Sequence, residues 1–380
     1  MRSLGPLKIL PAIGVSVLAL ALPALAARPV ANRAAAEAKI AYATGTERST
    51  PAVWIAQANG GRPQRLGPGL SPLLAPNGEA VAAATFATTP GSQEKGPAIV
   101  IYQVAAATSA PATSPPPATP SAPTAPAASY LNLAVATAQP LAWSPDSRYL
   151  AVALQSTSAN ESGSGLAVID TSTGTVRTIA KGQVYGASFA LDGSDRLVYG
   201  LARSFNPNAA VNLYLAQPGG SGTTALTSNG RSLNPVWGPR WIAYDRERLR
   251  PNWAPRYDIW LRSPTSSVTR KLTNVSASKL VVGLVPLAFS ASGTRLLSEF
   301  EGQDTSAAWT VNVPSGRARP VRAGGQSVVG AGISSDGGTL LVDLDSLQSP
   351  PSSGRVATIP FAGGGPKVLV AHGGQASWNR

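Results

Sequence analysis

Arginines and aromatic residues are interleaved in the stretch "YDRERLRPNWAPRYDIW", which covers residues 244–260. Such side chains dominate binding surfaces because they bury a large area and keep directional hydrogen-bond donors. We predict a binding loop for an anionic partner here, about a dozen residues long and lying between two strands. The alternative is a solvated loop in which the arginines pair with neighbouring acidic residues. The candidate binding residues are Arg246, Arg248, Arg250, Trp253, Arg256 and Tyr257.

Residues for covalent or metal catalysis are scarce. His372 is the only histidine and there is no cysteine, so the sequence offers neither a Ser-His-Asp triad nor a Cys/His zinc site. An acid-only site with a divalent cation is the alternative, because paired carboxylates at alternate positions lie on one face of a strand. These carboxylates are Asp343 and Asp345 in "LVDLDS", and Glu299 and Glu301 in "SEFEGQD" with Asp304 nearby. The spacing of a calcium loop is absent. We predict no catalytic residue, no metal and no cofactor.

The elements that position these residues follow a repeated hairpin. In "QPLAWSPDSRYLAVAL", residues 139–154, a short strand ends at Trp143 and an apolar strand begins after a polar turn. Pro145 presets the turn and Asp146 can accept hydrogen bonds from the amides that follow it. The sequence therefore predicts a hairpin with a large aromatic anchor.

The same hairpin recurs along the chain. It returns in "LSPLLAPNGEAVAAATF", "GASFALDGSDRLVYGL", "PLAFSASGTRLLSEF" and "GAGISSDGGTLLVDL", in the shortened "NPVWGPRWIAYD", and as the final strand "GQASWNR". The glycines in these turns occupy positions that favour a positive φ. After a first gap of about 70 residues the copies are spaced 44 to 52 residues apart, and a second hairpin follows each. This period predicts one four-stranded antiparallel blade per repeat, as in a β-propeller.

The long first gap contains residues 105–129, which are rich in Pro, Ala, Ser and Thr. With no large apolar residue the segment predicts an exposed, disordered insertion within a blade. At the chain ends, "GQASWNR" would supply the innermost strand for "AKIAYATGT", "AVWIAQANGG" and "RPQRLG". We therefore predict a single all-β propeller domain over residues 39–380, with seven blades and a ring closed by both chain ends in one blade. Six blades is the alternative.

The N-terminal residues 1–27 have the pattern of a secretory signal. Arg2 and Lys8 precede an apolar run, and Ala24-Leu25-Ala26 offers a cleavage site. An uncleaved anchor is the alternative. Residues 28–38 would form a short linker. We expect a secreted bacterial protein, periplasmic or in the cell envelope, held together by its own core because it has no disulfides.

Charge narrows the choice of partners. The chain carries a net charge of +13, and loss of residues 1–27 would leave +11. That favours an envelope protein with acidic groups or an anionic wall polymer. A charge that serves solubility alone is the alternative. Because the chain is expected to be exported, we predict no nucleic-acid partner, no membrane insertion after signal cleavage, and a monomer.

The repeats also have a family resemblance. "PLAWSPDSRYLAV" followed by "GLAVIDTSTGTVRTI" resembles the repeat of TolB-like, WD-repeat-like β-propellers, and "RYDIWLRSPTSSVTRKLT" is similar to its second half. The resemblance implies the propeller fold and binding through loops on one face, and it brings no catalytic residue. The chain lacks sequence for the α/β domain that precedes the TolB propeller, so the Pal-binding role of TolB is not carried over. A propeller lactonase or lyase that uses carboxylates or a metal is the alternative function.

Overall fold

The computed structural model describes residues 38–45, 50–88, 95–104, 127–133, 137–156, 163–206, 209–250, 253–274, 281–302, 305–345 and 354–379. The predicted signal and nearly all of the predicted linker lie outside these residues. Residues 105–126 of the predicted insertion also lie outside them. The insertion boundary was wrong at its end, because Ala128 and Ser129 pair within a strand. No helix long and apolar enough to cross a membrane occurs in the part of the chain that the structure describes.

The described elements are all strands. In the first half of the chain they are β1 (Lys39–Thr44), β2 (Ala52–Gln57), β3 (Gln64–Pro68), β4 (Leu70–Leu74), β5 (Ala80–Thr88), β6 (Lys95–Gln103), β7 (Ala128–Asn132), β8 (Thr137–Trp143), β9 (Tyr149–Gln155), β10 (Gly165–Asp170), β11 (Thr175–Lys181), β12 (Gln183–Phe189), β13 (Leu197–Ala202) and β14 (Val211–Ala216). In the second half they are β15 (Thr224–Ala225), β16 (Ser232–Trp237), β17 (Ile242–Arg250), β18 (Trp253–Arg262), β19 (Thr269–Lys271), β20 (Val281–Phe289), β21 (Arg295–Gly302), β22 (Ser306–Asn312), β23 (Ala318–Pro320), β24 (Val328–Ile333), β25 (Thr339–Leu344), β26 (Arg355–Pro360), β27 (Lys367–Val370) and β28 (Gly374–Trp378).

These strands pair into antiparallel groups of four. Five groups are separate sheets, with the orders β28-β1-β2-β3, β4-β5-β6-β7, β8-β9-β10-β11, β12-β13-β14-β15 and β24-β25-β26-β27. The remaining strands form the groups β16–β19 and β20–β23, which one parallel pair, Tyr257 with Gly283, joins into a larger sheet. The all-β propeller fold predicted from the repeats is confirmed.

The first strand of each group lies at the centre. These innermost strands contact one another in the order β4, β8, β12, β16, β20, β24 and β28, and β28 also contacts β4. At this junction the Leu74 amide donates to Ser377 Oγ at 2.9 Å, and the Ser71 amide donates to Gln375 Oε1 at 2.8 Å. The pairing and these contacts support seven blades in a closed ring.

Each innermost strand ends in a large apolar anchor that packs on the preceding blade. Trp143 packs with Ile99 and Ile101, and its indole Nε1 donates to the Leu73 carbonyl at 3.0 Å. Packing at a repeated position explains why an aromatic or branched residue recurs there. The anchors are Leu74, Trp143, Phe189, Trp237, Phe289, Ile333 and Trp378.

The polar turns after the anchors have the expected backbone. In the four turns where the sequence predicts a positive φ at glycine, the glycines have φ between 69° and 74°. The turns are therefore of the tight kind that joins adjacent antiparallel strands. The affected residues are Gly78, Gly193, Gly293 and Gly337.

The pairing of β28 with β1 can be tested by moving the strand. We expect a chain ending at Gly373 to lose cooperative unfolding, because β1 gains an unpaired edge and β4 and β24 lose their neighbour. Inserting residues 374–379 and an Asn-Gly turn just before Ala38 of that chain should restore it, since Trp378 pairs with Ile40 as in a hairpin. Urea unfolding followed by tryptophan fluorescence measures both. Cooperative, wild-type-like unfolding of the truncated chain would contradict the pairing.

Candidate functional site

The arginine-rich stretch forms a β-hairpin. Strands β17 and β18 pair along almost their whole length, and only residues 251–252 separate them. The predicted dozen-residue loop was therefore wrong. The sequence signal that identifies the hairpin is the alternation of Arg246, Arg248 and Arg250, which has the period of a strand, followed by the turn-forming types Pro251 and Asn252.

Strand alternation divides the candidate residues between two faces. Arg246 pairs with Asp258, and Arg248 with Arg256, so these arginines lie on one face of the hairpin. Tyr257 pairs with Glu247 and lies on the other face. The thickness of the sheet therefore separates Tyr257 from the arginines.

The last two candidates lie at the end of the hairpin. Arg250 pairs with Trp253 there, and the side chains of both lie outside the described residues.

The arginine face lines a pocket of about 480 Å³, called here the basic pocket. Four cations and two carboxylates line it, so positive charge prevails. Arg231 comes from the segment before β16, and the amide of Glu247 donates to its carbonyl at 3.0 Å. The lining residues are Asn229, Arg231, Arg246, Glu247, Arg248, Asp258, Trp260 and Lys271.

Asp258 organises the floor of the basic pocket. Its side chain is only 6% exposed and pairs with Lys271 Nζ at 2.8 Å and with the Arg248 guanidinium at 3.5 Å. Arg246 lies over the Trp260 ring, 4.8 Å from its centroid. An aromatic surface orders a guanidinium without neutralising it. Arg246 therefore keeps its charge and its donors for a ligand.

A second pocket of about 430 Å³ continues the basic surface and shares Asn229 and Arg246 with the first. Arg262 lines it, and the Nε atom of Arg262 is buried with no hydrogen-bond partner among the described residues. A buried donor without a partner costs free energy that an anionic ligand would recover. Sequence reasoning missed Arg231, Arg262 and Lys271, because only the blade brings their strands and segments beside Arg246.

Two of the carboxylates considered for catalysis join neighbouring blades. Glu299 Oε2 accepts the amide of Gly330 at 3.0 Å, and Asp343 accepts the amide of Ala376 at 3.3 Å, each from the next blade. Asp345 pairs with Arg355. Asp304 lies outside the described residues, and His372 is exposed in the turn before β28.

A cavity of about 400 Å³ opens between the innermost strands. Its described lining is apolar apart from two serines and contains no carboxylate; Leu73, Leu141, Leu287 and Trp378 are among the lining residues. Within the described ranges, no group of three acidic or histidine side chains is arranged to hold a metal. The acidic channel lining that a lactonase or lyase would require is therefore missing from this cavity.

Comparison with known proteins supports the fold. No protein-family model matches the chain, and no curated protein sequence matches it. The β-propeller domain of the Trilobed protease from Pyrococcus furiosus is similar at 13% identity and a TM-score of 0.52, over 79% of this chain and 83% of that one. The tricorn protease is similar at 11% identity and a TM-score of 0.53, over 88% of this chain and 34% of that one.

TolB from Acinetobacter baumannii is also similar, at 13% identity and a TM-score of 0.49, over 90% of this chain and 67% of that one. This chain spans only about a third of the tricorn protease. At such low identities the similarity concerns the fold alone. At that level, the β-propeller fold is confirmed.

The role of Asp258 can be tested by Asp258→Asn. The change leaves Lys271 and Arg248 without a buried counter-charge, and we expect a loss of about 1–2 kcal/mol in the free energy of unfolding, moderated by the partial exposure of both cations. Asp345→Asn is the matched control, because the Asp345 side chain is 40% exposed in its pair with Arg355, and loss of that pair should cost less than about 1 kcal/mol. Urea unfolding measures both. Equal losses would show that Asp258 is no more important than a surface carboxylate.

Burial also predicts a pH dependence of stability. It raises the pKa values of Asp245 and Asp343 to about 7, whereas unfolded aspartate titrates near 4. The folded state therefore holds protons that the unfolded state releases, and the free energy of unfolding should fall as pH rises from about 4 to 7. Asp245→Asn removes one of these groups and should flatten the fall, as urea titrations at several pH values would show. An unchanged slope would contradict the assignment.

Proposed function

We propose that this protein is a non-catalytic binding β-propeller that recognises an anionic partner through the basic pocket. The partner would be an envelope protein that presents acidic groups, or an anionic wall polymer. One observation carries the proposal: four cations, Arg231, Arg246, Arg248 and Lys271, converge on a pocket that only two carboxylates line.

The arrangement suits recognition because its donors are already oriented. Asp258 holds Lys271 and Arg248, and Trp260 supports Arg246, so little side-chain entropy remains to be lost on binding. Planar guanidinium groups match carboxylates and phosphates with paired hydrogen bonds. Arg250 and Trp253 stay in the proposal as contacts at the end of the hairpin.

Location in the bacterial envelope is part of the same proposal and rests on the signal pattern of residues 1–27. The propeller would act as a monomer without a catalytic step, consistent with the apolar lining of the central cavity. The similar folds include two proteases by name. At their low identity they bring no activity to this chain.

The test compares two triple variants with equal loss of charge. Arg231→Ala, Arg246→Ala and Lys271→Ala together should weaken binding to purified wall teichoic acid, a phosphodiester polymer, at least tenfold, since each removes a charged contact. Arg317→Ala, Arg319→Ala and Arg322→Ala together remove three exposed cations elsewhere and should change binding less than threefold. Biolayer interferometry at fixed ionic strength measures both.

The same pair of variants also tests whether the partner is an envelope protein, by crosslinking in envelope extract. A partner captured by the wild type and the control, and lost by the pocket variant, would support recognition of a protein. If both variants lose binding equally, net charge and not the pocket holds the ligand. If the wild type binds neither polymer nor partner, the proposal fails.

A further inference from the structure

Three consecutive blades carry a buried carboxylate at the same position. In the second strand of each blade, the carboxylate lies three residues after the residue that pairs with the anchor. These carboxylates are Asp245 in β17, Glu299 in β21 and Asp343 in β25. All three are at most 7% exposed. A buried carboxylate needs hydrogen-bond donors or a counter-charge to remain ionised.

Two of the three carboxylates receive a donor from the next blade. Gly330, three residues before the anchor of β24, donates its amide to Glu299, and the Ser306 hydroxyl adds a second donor. Ala376 of β28 donates its amide to Asp343. In these blades the carboxylate ties its strand to the neighbouring innermost strand.

The third carboxylate lacks a donor at the position that Gly330 occupies; the donor to Asp343, Ala376, lies two residues before its own anchor, Trp378. In β20 the residue three before the anchor is Pro286. It is equivalent to Gly330, because an irregularity in strand pairing follows directly after each of the two residues. Proline has no amide hydrogen.

Asp245 is 1% exposed, and neither of its carboxyl oxygens has a hydrogen-bond partner of good geometry among the described residues. The weaker contacts with the Asn234 side chain and with its own amide lower the pKa of Asp245 less than burial raises it.

Further acidic groups adjoin Asp245. One row of paired residues crosses the four adjacent strands β17, β18, β20 and β21, and it consists of Glu247, Tyr257, Gly283 and Glu301. Asp245 lies two residues before Glu247 in β17 and therefore on the same face. We call Asp245, Glu247, Glu301, Tyr185 and Tyr257 the acidic cluster. Burial first, and then the charges of Glu247, Asp245 and Glu301, raise the pKa of Tyr257 to about 12.

No described cation neutralises the acidic cluster. None of its three carboxylates forms an ion pair within the described part of the chain, and Arg246 and Arg248 lie on the opposite face of the hairpin. Glu301 is exposed and Glu247 half-buried, so both can be reached from solvent. The cluster therefore has an accessible rim above a buried, unpartnered carboxylate.

The chemistry of the cluster favours an organic cation. Tyr185 and Tyr257 pack against the same apolar group, which gives the site aromatic walls. Aromatic faces and carboxylates together bind ammonium and guanidinium groups. A divalent metal is a poorer match, because no metal-binding group of three occurs among the described residues.

We propose that the acidic cluster is a second binding site, which takes a primary ammonium or guanidinium group at its carboxylate rim, above Asp245. The group is either a free amine or a Lys or Arg side chain of a partner protein. The cluster and the arginines lie on opposite faces of the hairpin, and Glu247, which also borders the basic pocket, is the one residue that the two sites share.

The test is calorimetric titration of the purified protein at low salt with cadaverine, argininamide and a trilysine peptide. We expect Asp245→Asn to weaken binding at least tenfold. Pro286→Gly keeps the carboxylate and restores the amide that Gly330 supplies in the next blade, so it should weaken binding at least threefold. Asp343→Asn is the matched control, because that buried carboxylate already has donors, and it should change binding less than twofold.

Each outcome decides the proposal. Binding of all three probes supports a site for free amines, and binding of trilysine alone supports a side chain of a partner. If no probe binds a folded wild type at millimolar concentration, or if Asp343→Asn loses as much as Asp245→Asn, the proposal is overturned. The triple variant of the basic pocket should retain cation binding, so failure of one site is distinguishable from failure of the other.

Discussion

The seating of one large apolar side chain between neighbouring blades is the contact on which the rest of this structure depends. A single four-stranded sheet cannot bury both of its faces, and here each innermost strand ends in an anchor that packs on the blade before it. Because the contact is repeated, the blades are held at a common spacing around the centre. The strands further out can then vary without loss of the ring.

That freedom explains how one blade differs from the others. In the blade β16–β19 the second and third strands extend into a long hairpin, and its two faces carry opposite charges. Arg246 and Arg248 face one neighbour, while Asp245 and Glu247 face the other. The alternation gathers charges of one sign on each face and separates the two signs across the thickness of the sheet. Two sites of opposite preference can thus share one element.

Much of the fold could be predicted from sequence because its determinants are local. The turn residues, the anchor and the period recur in each repeat, and the strand pairing at the two chain ends follows from an incomplete blade at each end. The site could be predicted only in part. The alternating charges of β17 predict a loop, since they lack the apolar alternation typical of a strand. Arg231 and Lys271 join the site only through contacts between strands distant along the chain.

The sequence also could not predict that Asp245 lacks a hydrogen-bond partner of good geometry, although it contains both residues responsible, Asp245 and Pro286. Neither Asp245 nor Pro286 is unusual alone. Asp245 lacks an amide donor because β20 has a proline at the position that Gly330 occupies in β24. Replacing Asp245 by an apolar residue of similar size would remove the cost of burying an unpartnered carboxyl. A protein that gained only stability from this position would be better served by that replacement. The cost is therefore a reason to assign the carboxyl a ligand, and the aromatic and acidic groups around it specify a cation.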